Sequence, residues 1–325
     1  MALGGYVFRN LWPNFVALNA NRIFQQVINI SFLMKLIKHS LLLKLLIIAF
    51  TVAPLTAAAT EPVSTTDEDP YFLLMGEAEK AIADENYEEA AARLIDALAV
   101  DPNNPGNLLV MTNLGMVYSC LDRDSLAIAT LDEVTRRAPN MTVAILNRGR
   151  IKLKDNMNEE AYADFSKVIE IDSLNADARY FRGIMSLYGG DRRIAEADFN
   201  VIKSLQPEKV RTYAALAALF SMTGRDREAI PYFEKLIEQE PTPEYFASLA
   251  GCYLSLEELS DAARVINEGL KLYRRDPELY YYRAWLNRDR FRYDDSHADA
   301  KRAIEYGANP EKVNALYNSN HSRKK

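Results

Sequence analysis

One register of small residues constrains this chain more than anything else in it. Ala78, Gly115, Gly149, Gly183, Ala217, Ala250 and Ala284 follow one another at steps of 37, 34, 34, 34, 33 and 34 residues. A second series, Ala90, Ala127, Ala161, Ala195, Ala229, Ala262 and Ser296, repeats the same steps. Two independent markers therefore hold one phase over seven copies. A period of about 34 residues predicts a helix–turn–helix unit repeated in tandem. Such an array grows in one direction without a single core, so 325 residues need not divide into compact domains of ordinary size.

The residue types at those positions fit helix packing. A small residue lets two helices approach near the lower end of the usual spacing. Four residues after the second small position, on the same helix face, stand Leu94, Leu131, Phe165, Phe199, Phe233, Ile266 and Ala300. These are expected to fill the space between the helices of a pair. Second helices are expected to end at Asp101-Pro102, Ala138-Pro139, Gln206-Pro207 and Glu240-Pro241, because proline cannot continue a helix interior. Asn156, Gly189-Gly190 and Gly224 fall in the turns within pairs, where residues tolerant of positive φ belong.

The stretches TNLGMVY…AIATLDEVTRRAP at 112–139 and LNRGRIK…AYADFSKVIEID at 146–172 resemble the tetratricopeptide repeat family. The resemblance covers about 71–310, as units 71–104, 108–141, 142–175, 176–209, 210–242, 243–276 and 277–310. No copy carries the family's leading Trp; Leu74, Met111, Ile145, Arg179, Tyr213, Phe246 and Tyr280 stand there. The last copy is the poorest, as suits a terminal repeat. The resemblance implies an all-α, right-handed superhelical solenoid of about seven repeats. Residues 311–325 are expected to form a short capping helix and a tail.

The N-terminus reads differently. Residues 34–59, MKLIKHSLLLKLLIIAFTVAPLTAAA, carry Lys35 and Lys38, then an apolar stretch, Pro54 and a small-residue run at Ala57–Ala59. That is the layout of a secretory signal peptide cleaved near Ala59, with an uncleaved inner-membrane anchor as the alternative. The mature chain is then periplasmic or secreted, with no membrane span. Residues 1–33 precede a complete signal with its own Met and read as a gene-model extension or as a genuine cytoplasmic segment. Residues 60–70 read as a linker.

A net charge of −6 makes nucleic acid a poor partner. Three histidines, each isolated, offer no metal site. No nucleophile elbow, zincin motif or phosphate-cradling glycine loop occurs. Neither catalysis nor a cofactor is expected. Cys120 and Cys252 lie about four repeats apart, too far for a disulfide, and read as buried small apolar residues.

The resemblance implies binding of a peptide or partner helix along the concave face, which first helices line. By helix phase that face includes Met116, Arg150, Tyr180, Ile184, Tyr188, Tyr281, Trp285 and Arg288. Tyr, Trp and Arg are the types that most often carry binding energy. The competing reading is packing against the neighbouring repeat. Some family members grip a C-terminal carboxylate through a Lys/Asn/Arg clamp, but Met75 and Glu79 stand where the first copy would need Lys and Asn, so no such clamp is expected. The partner is expected to be a protein or peptide, in an adaptor of the cell envelope. The alternatives are a homo-oligomer built through the end repeats and an accessory subunit of an envelope enzyme.

A last pattern concerns charge. One residue before the first small position, three copies carry Arg148, Arg182 and Arg283; three after the second, the same copies carry Asp164, Asp198 and Asp299. Copy one reverses the charges as Glu77 and Arg93. The other three copies have Leu114, Leu216 and Leu249, with Thr130, Tyr232 and Val265 opposite. The two positions change together, which predicts side chains meeting between paired helices rather than an arginine-lined anion groove.

Overall fold

A computed structural model describes residues 69–318. The expectations for 1–33 and 34–59, most of the 60–70 linker, and the tail beyond Asn318 lie outside the described residues. Within them are fifteen α-helices and no strand. The chain divides into two units, 1–189 and 190–325.

The first unit holds α1 (Pro70–Ala83), α2 (Tyr87–Val100), α3 (Asn107–Cys120), α4 (Asp124–Arg137), α5 (Thr142–Lys154), α6 (Asn158–Ile171) and α7 (Ala176–Tyr188). The second holds α8 (Arg192–Leu205), α9 (Val210–Met222), α10 (Asp226–Gln239), α11 (Pro243–Ser255), α12 (Leu259–Leu272), α13 (Pro277–Asp289), α14 (Tyr293–Glu305) and α15 (Pro310–Asn318). Inside each unit a helix packs chiefly on the next along the chain. First helices also touch across pairs, α3 with α5 and α11 with α13.

Polar caps start many of these helices. The Asn86, Asn175, Asp191, Thr242 and Asp276 side chains accept from backbone N–H groups of the first turns they precede. At the other end, α4, α8 and α10 stop one residue before the X of each X-Pro pair.

Both small series are buried, as is the larger series that follows the second. Geometry shows why the first series is small. A Cβ on Gly149 would stand 2.9 Å from the Phe165 ring, and one on Gly115 2.8 Å from Leu131. The large residue of the second helix thus occupies the volume the first helix leaves empty.

The turns share a single backbone device. Glu85, Asp122, Asn156, Gly190, Gly224, Glu257 and Phe291 all have positive φ, and each lies seven residues after its first small residue. Only three of the seven are Gly or Asn, so residue type marks fewer than half of these positions. The close pairing of the helices fixes the turn, and a residue with a Cβ must accept a conformation costing about 1–2 kcal/mol.

The charge pattern is realised as pairs. Arg148 donates from Nε and Nη2 to the two carboxylate oxygens of Asp164 at 2.9 and 2.5 Å. Lys152 reaches the same carboxylate at 3.1 Å, and Arg148 also reaches Asp132 at 2.8 Å. Arg283 grips Asp299 in the same forked way at 2.8 and 2.6 Å, with Asn287 adding a bond at 2.9 Å. The reversed pair, Arg93 and Glu77, meets at 3.0 Å. The three charged pairs that lie within one unit are therefore in contact. Arg182 lies in the first unit and the buried Asp198 in the second. Where both positions are uncharged, Leu216, Leu249 and Val265 are buried instead.

The Asp164 side chain is 7% exposed, that of Glu77 58%. Asp164→Ala should therefore lower stability by about 3–5 kcal/mol, because it removes the buried carboxylate that Arg148 and Lys152 share and leaves Arg148 only the exposed Asp132. Glu77→Ala should leave the midpoint of equilibrium denaturation almost unchanged. In the same experiment Glu257→Gly, at an exposed turn position, should raise stability by up to about 1 kcal/mol, since glycine removes the left-handed penalty.

Candidate functional site

In the first unit, the first helices α3, α5 and α7 bring part of the expected set together. Arg150, half-buried on α5, sets its guanidinium carbon 5.7 Å from the centre of the Phe181 ring of α7. Phe181 stacks on Phe165 at 5.1 Å and meets Tyr180 edge-on at 5.4 Å. Tyr180 packs on the cluster that contains Ile145, Phe165 and Phe181. Burial pushes both the Tyr180 and Tyr188 hydroxyls up to about 12, and Tyr188 is raised further by Tyr180 itself. Ile184 is half-buried on the same helix. Met116 packs on a separate cluster of Ala127, Leu131, Val134, Ala144 and Ile151.

Burial also holds the Arg150 guanidinium below its ordinary range, and its charged-state neighbour is the Cys120 thiol at the end of α3. The Cys120 side chain in turn lies beside the Tyr87 hydroxyl, which burial and Cys120 both raise. Phe181 and Cys120 were not among the residues expected at this face. Phe181 and Tyr282 place rings two positions before their first small residues, where the other copies carry Gly76, Asn113, Asn147, Ala215 and Ser248, and that contrast is the signal that points to both.

The second unit treats its expected residues differently. Tyr281, Trp285 and Arg288 all lie on α13, and all three engage α15. Lys312 of α15 stands 4.5 Å over the Tyr281 ring and forms an ion pair with Glu278. Arg288 donates to the Leu316 carbonyl at 2.6 Å and lies 5.9 Å over Trp285. Trp285 donates from Nε1 to Asp289 at 2.8 Å and stacks on Tyr282. Tyr281 and Trp285 pack against the cluster of Ala284, Ala300, Ala303, Val313 and Leu316. Tyr282, absent from the expected set, fills the space above Gly251; a Cβ there would sit 3.2 Å from its ring. Burial pushes Tyr281 up to about 12 and Tyr282 well above the usual phenol range. These side chains hold the terminal helix while remaining partly accessible.

Neither cysteine forms a disulfide among the described residues; Cys252 is buried and Cys120 half-buried. No group of three His, Cys, Asp or Glu side chains converges among the described residues, and no helix there is long and apolar enough to cross a membrane.

Several known proteins resemble this chain. No protein-family profile matches it. A tetratricopeptide repeat protein from Parabacteroides merdae superposes with a TM-score of 0.57 at 21% identity, over 77% of this chain and 98% of that one. PilW, a type IV pilus biogenesis factor, gives 0.57 at 20% identity over 66% of this chain and 98% of its own. The Cut9–Hcn1 hetero-tetramer of APC/C gives 0.54 at 14% identity, over 76% and 55%. In sequence, DnaJ homolog subfamily C member 3 of Homo sapiens is 25% identical over 205 residues, or 59% of this chain and 37% of that protein. The Homo sapiens Superkiller complex protein 3 is 26% identical over 141 residues, 42% of this chain and 9% of that protein. The chain thus spans well under half the length of these relatives. The fold is that of the tetratricopeptide repeat proteins, all-α and built from paired helices.

Burial first, and the Asp226 charge second, push the Cys252 thiol up to about 12. At pH 8 roughly one such thiol in ten thousand is ionised, and the thiolate is the reactive form. Iodoacetamide should therefore leave Cys252 unlabelled in the folded protein and label it fully in concentrated guanidinium, as peptide mass spectrometry will read.

Proposed function

We propose that this chain is a non-catalytic scaffold of the cell envelope that binds an extended peptide or a partner helix along the first helices of its first unit. The observation that carries this reading is the group on α5 and α7. Arg150, Tyr180, Ile184 and Tyr188 are all half-buried, so each keeps surface to offer while its own packing holds it in place. Large, pre-positioned aromatic and Arg side chains bind at low cost in conformational entropy. The comparable group on α13 is already engaged by α15. The binding face is therefore assigned to the first unit rather than spread over all seven copies.

Two lines support the reading. Cut9 shares the fold and occurs in a hetero-tetramer with Hcn1, and PilW shares it as a pilus biogenesis factor. The envelope assignment rests on the charged, apolar and small-residue zones of residues 34–59.

The test is an affinity pull-down from the organism's own envelope fraction, with the wild-type chain beside a Tyr180→Ala/Tyr188→Ala variant. The variant should keep its helical circular dichroism and bind the captured partner at least about tenfold more weakly, the loss expected for removal of interface aromatics. Equal capture by both chains overturns the assignment of the face.

A further inference from the structure

In the first unit, first helices rest on the second helix of the preceding pair through the same two positions, five before and two after the small residue. On α3 these are Val110 and Val117, buried with Ala90, Leu94 and Ala97 of α2. On α5 they are Ala144 and Ile151, buried with Ala127, Leu131 and Val134 of α4. On α7 they are Ala178 and Met185, packed with Ala161, Phe165 and Val168 of α6. The covering element is each time a helix with a small residue, then apolar residues four and seven positions on.

On α1 the same two positions are Leu73 and Lys80, both exposed, and no described helix precedes them. Leu73 is 45% exposed and its neighbour Phe72 64%. A face built only for water would be polar at both places, as it is at Lys80. Between them lies Gly76, at the position where α7 carries the Phe181 ring that stacks on Phe165. A Cβ on Gly76 would meet nothing within 4 Å, whereas one on Gly115, Gly149, Gly251 or Gly269 would meet a neighbour within 3.2 Å. Glycine inside a helix costs stability, and no contact among the described residues requires it here. It leaves open the volume that a neighbouring helix fills at the internal junctions.

Charge chooses among the occupants. α1 and its two caps carry Asp69, Glu77, Glu79 and Asp84 against Lys80. Arg93 of α2, which meets Glu77, is shared with Glu89 and Asp96. Two copies of this surface would set like charges against each other, whereas a helix with Lys or Arg beside its apolar stripe would meet opposite ones.

We propose that the exposed face of α1 is a docking surface for one basic amphipathic helix of a partner protein, which takes the place that α2, α4 and α6 hold against α3, α5 and α7. Its stripe presents a small residue and then apolar residues four and seven positions on, the pattern those helices share. This surface is separate from the one on α5 and α7.

The test uses the full chain and fluorescein-labelled, hydrocarbon-stapled helical peptides with Ala, Leu and Val at the three stripe positions. One set is flanked by Lys and Arg, a second by Glu, and a third is the basic set with its stripe scrambled. Binding is read by fluorescence polarisation. Wild-type protein should bind the basic striped set at least about tenfold more tightly than either other set, and its margin over the acidic set should shrink as salt is raised. Phe72→Gln/Leu73→Gln should keep the wild-type melting temperature and lose at least about tenfold in affinity. Glu79→Gln/Asp84→Asn should narrow the basic-to-acidic ratio. Gly76→Ala should melt above wild type. Tyr180→Ala/Tyr188→Ala should bind these peptides as wild type does. Absence of a preference for the basic striped set, or a preference that survives Phe72→Gln/Leu73→Gln, overturns the inference. Loss of binding in Tyr180→Ala/Tyr188→Ala also overturns it, by placing the peptides on α5 and α7. A clear fall in melting temperature for Gly76→Ala or Phe72→Gln/Leu73→Gln overturns it by showing that the chain itself covers the face. A wild-type dimer in light scattering that Phe72→Gln/Leu73→Gln dissociates gives the face to a second copy and overturns it as well.

Discussion

The contact on which this architecture depends is that between a small residue of one helix and a large residue of its pair. Where Gly149 meets Phe165 and Gly115 meets Leu131, there is no room for even one more carbon. Interiors packed to this density tolerate little change in volume. That distance of approach fixes much else. It brings position −1 of the first helix against position +3 of the second, and so decides whether an Arg needs an Asp there. It also sets how sharply the chain must reverse, and so the left-handed residue seven positions on.

Much of this was legible in the sequence, and the physical reason is periodicity. Gly149, Phe165, Arg148 and Asp164 each recur in kind at a fixed interval, so a contact within one pair is announced several times over. The joint change of Arg148 with Asp164, and of Leu249 with Val265, served within one chain as covariation serves in an alignment. The Gly115–Leu131 contact was readable for the same reason.

What was not legible depends on features that occur once or that override local preference. Glu85, Asp122, Glu257 and Phe291 adopt positive φ although nothing in their side chains favours it. Helix pairing imposes the turn, and the sequence shows only the Gly and Asn positions where no penalty arises. Tyr281, Trp285 and Arg288 share the helix phase of Arg150 and Tyr180, yet they meet Lys312 and Leu316 of a helix that belongs to no repeat. Phase alone cannot separate a face that is used from a face that is covered.

The helix-to-next-helix packing inside each unit has a consequence for synthesis. Most tertiary contacts join residues separated by about one repeat or less, as Arg148 with Asp164 or Arg283 with Asp299. Chains dominated by such local contacts close each one with little loop entropy and order quickly. A pair such as α5 and α6 has most of the partners for its own core as soon as its last turn is made, and the next helix, α7, completes it with Ala178 and Phe181. The first unit can therefore take shape in sequence order while later residues are still being added, with little apolar surface left waiting for distant chain.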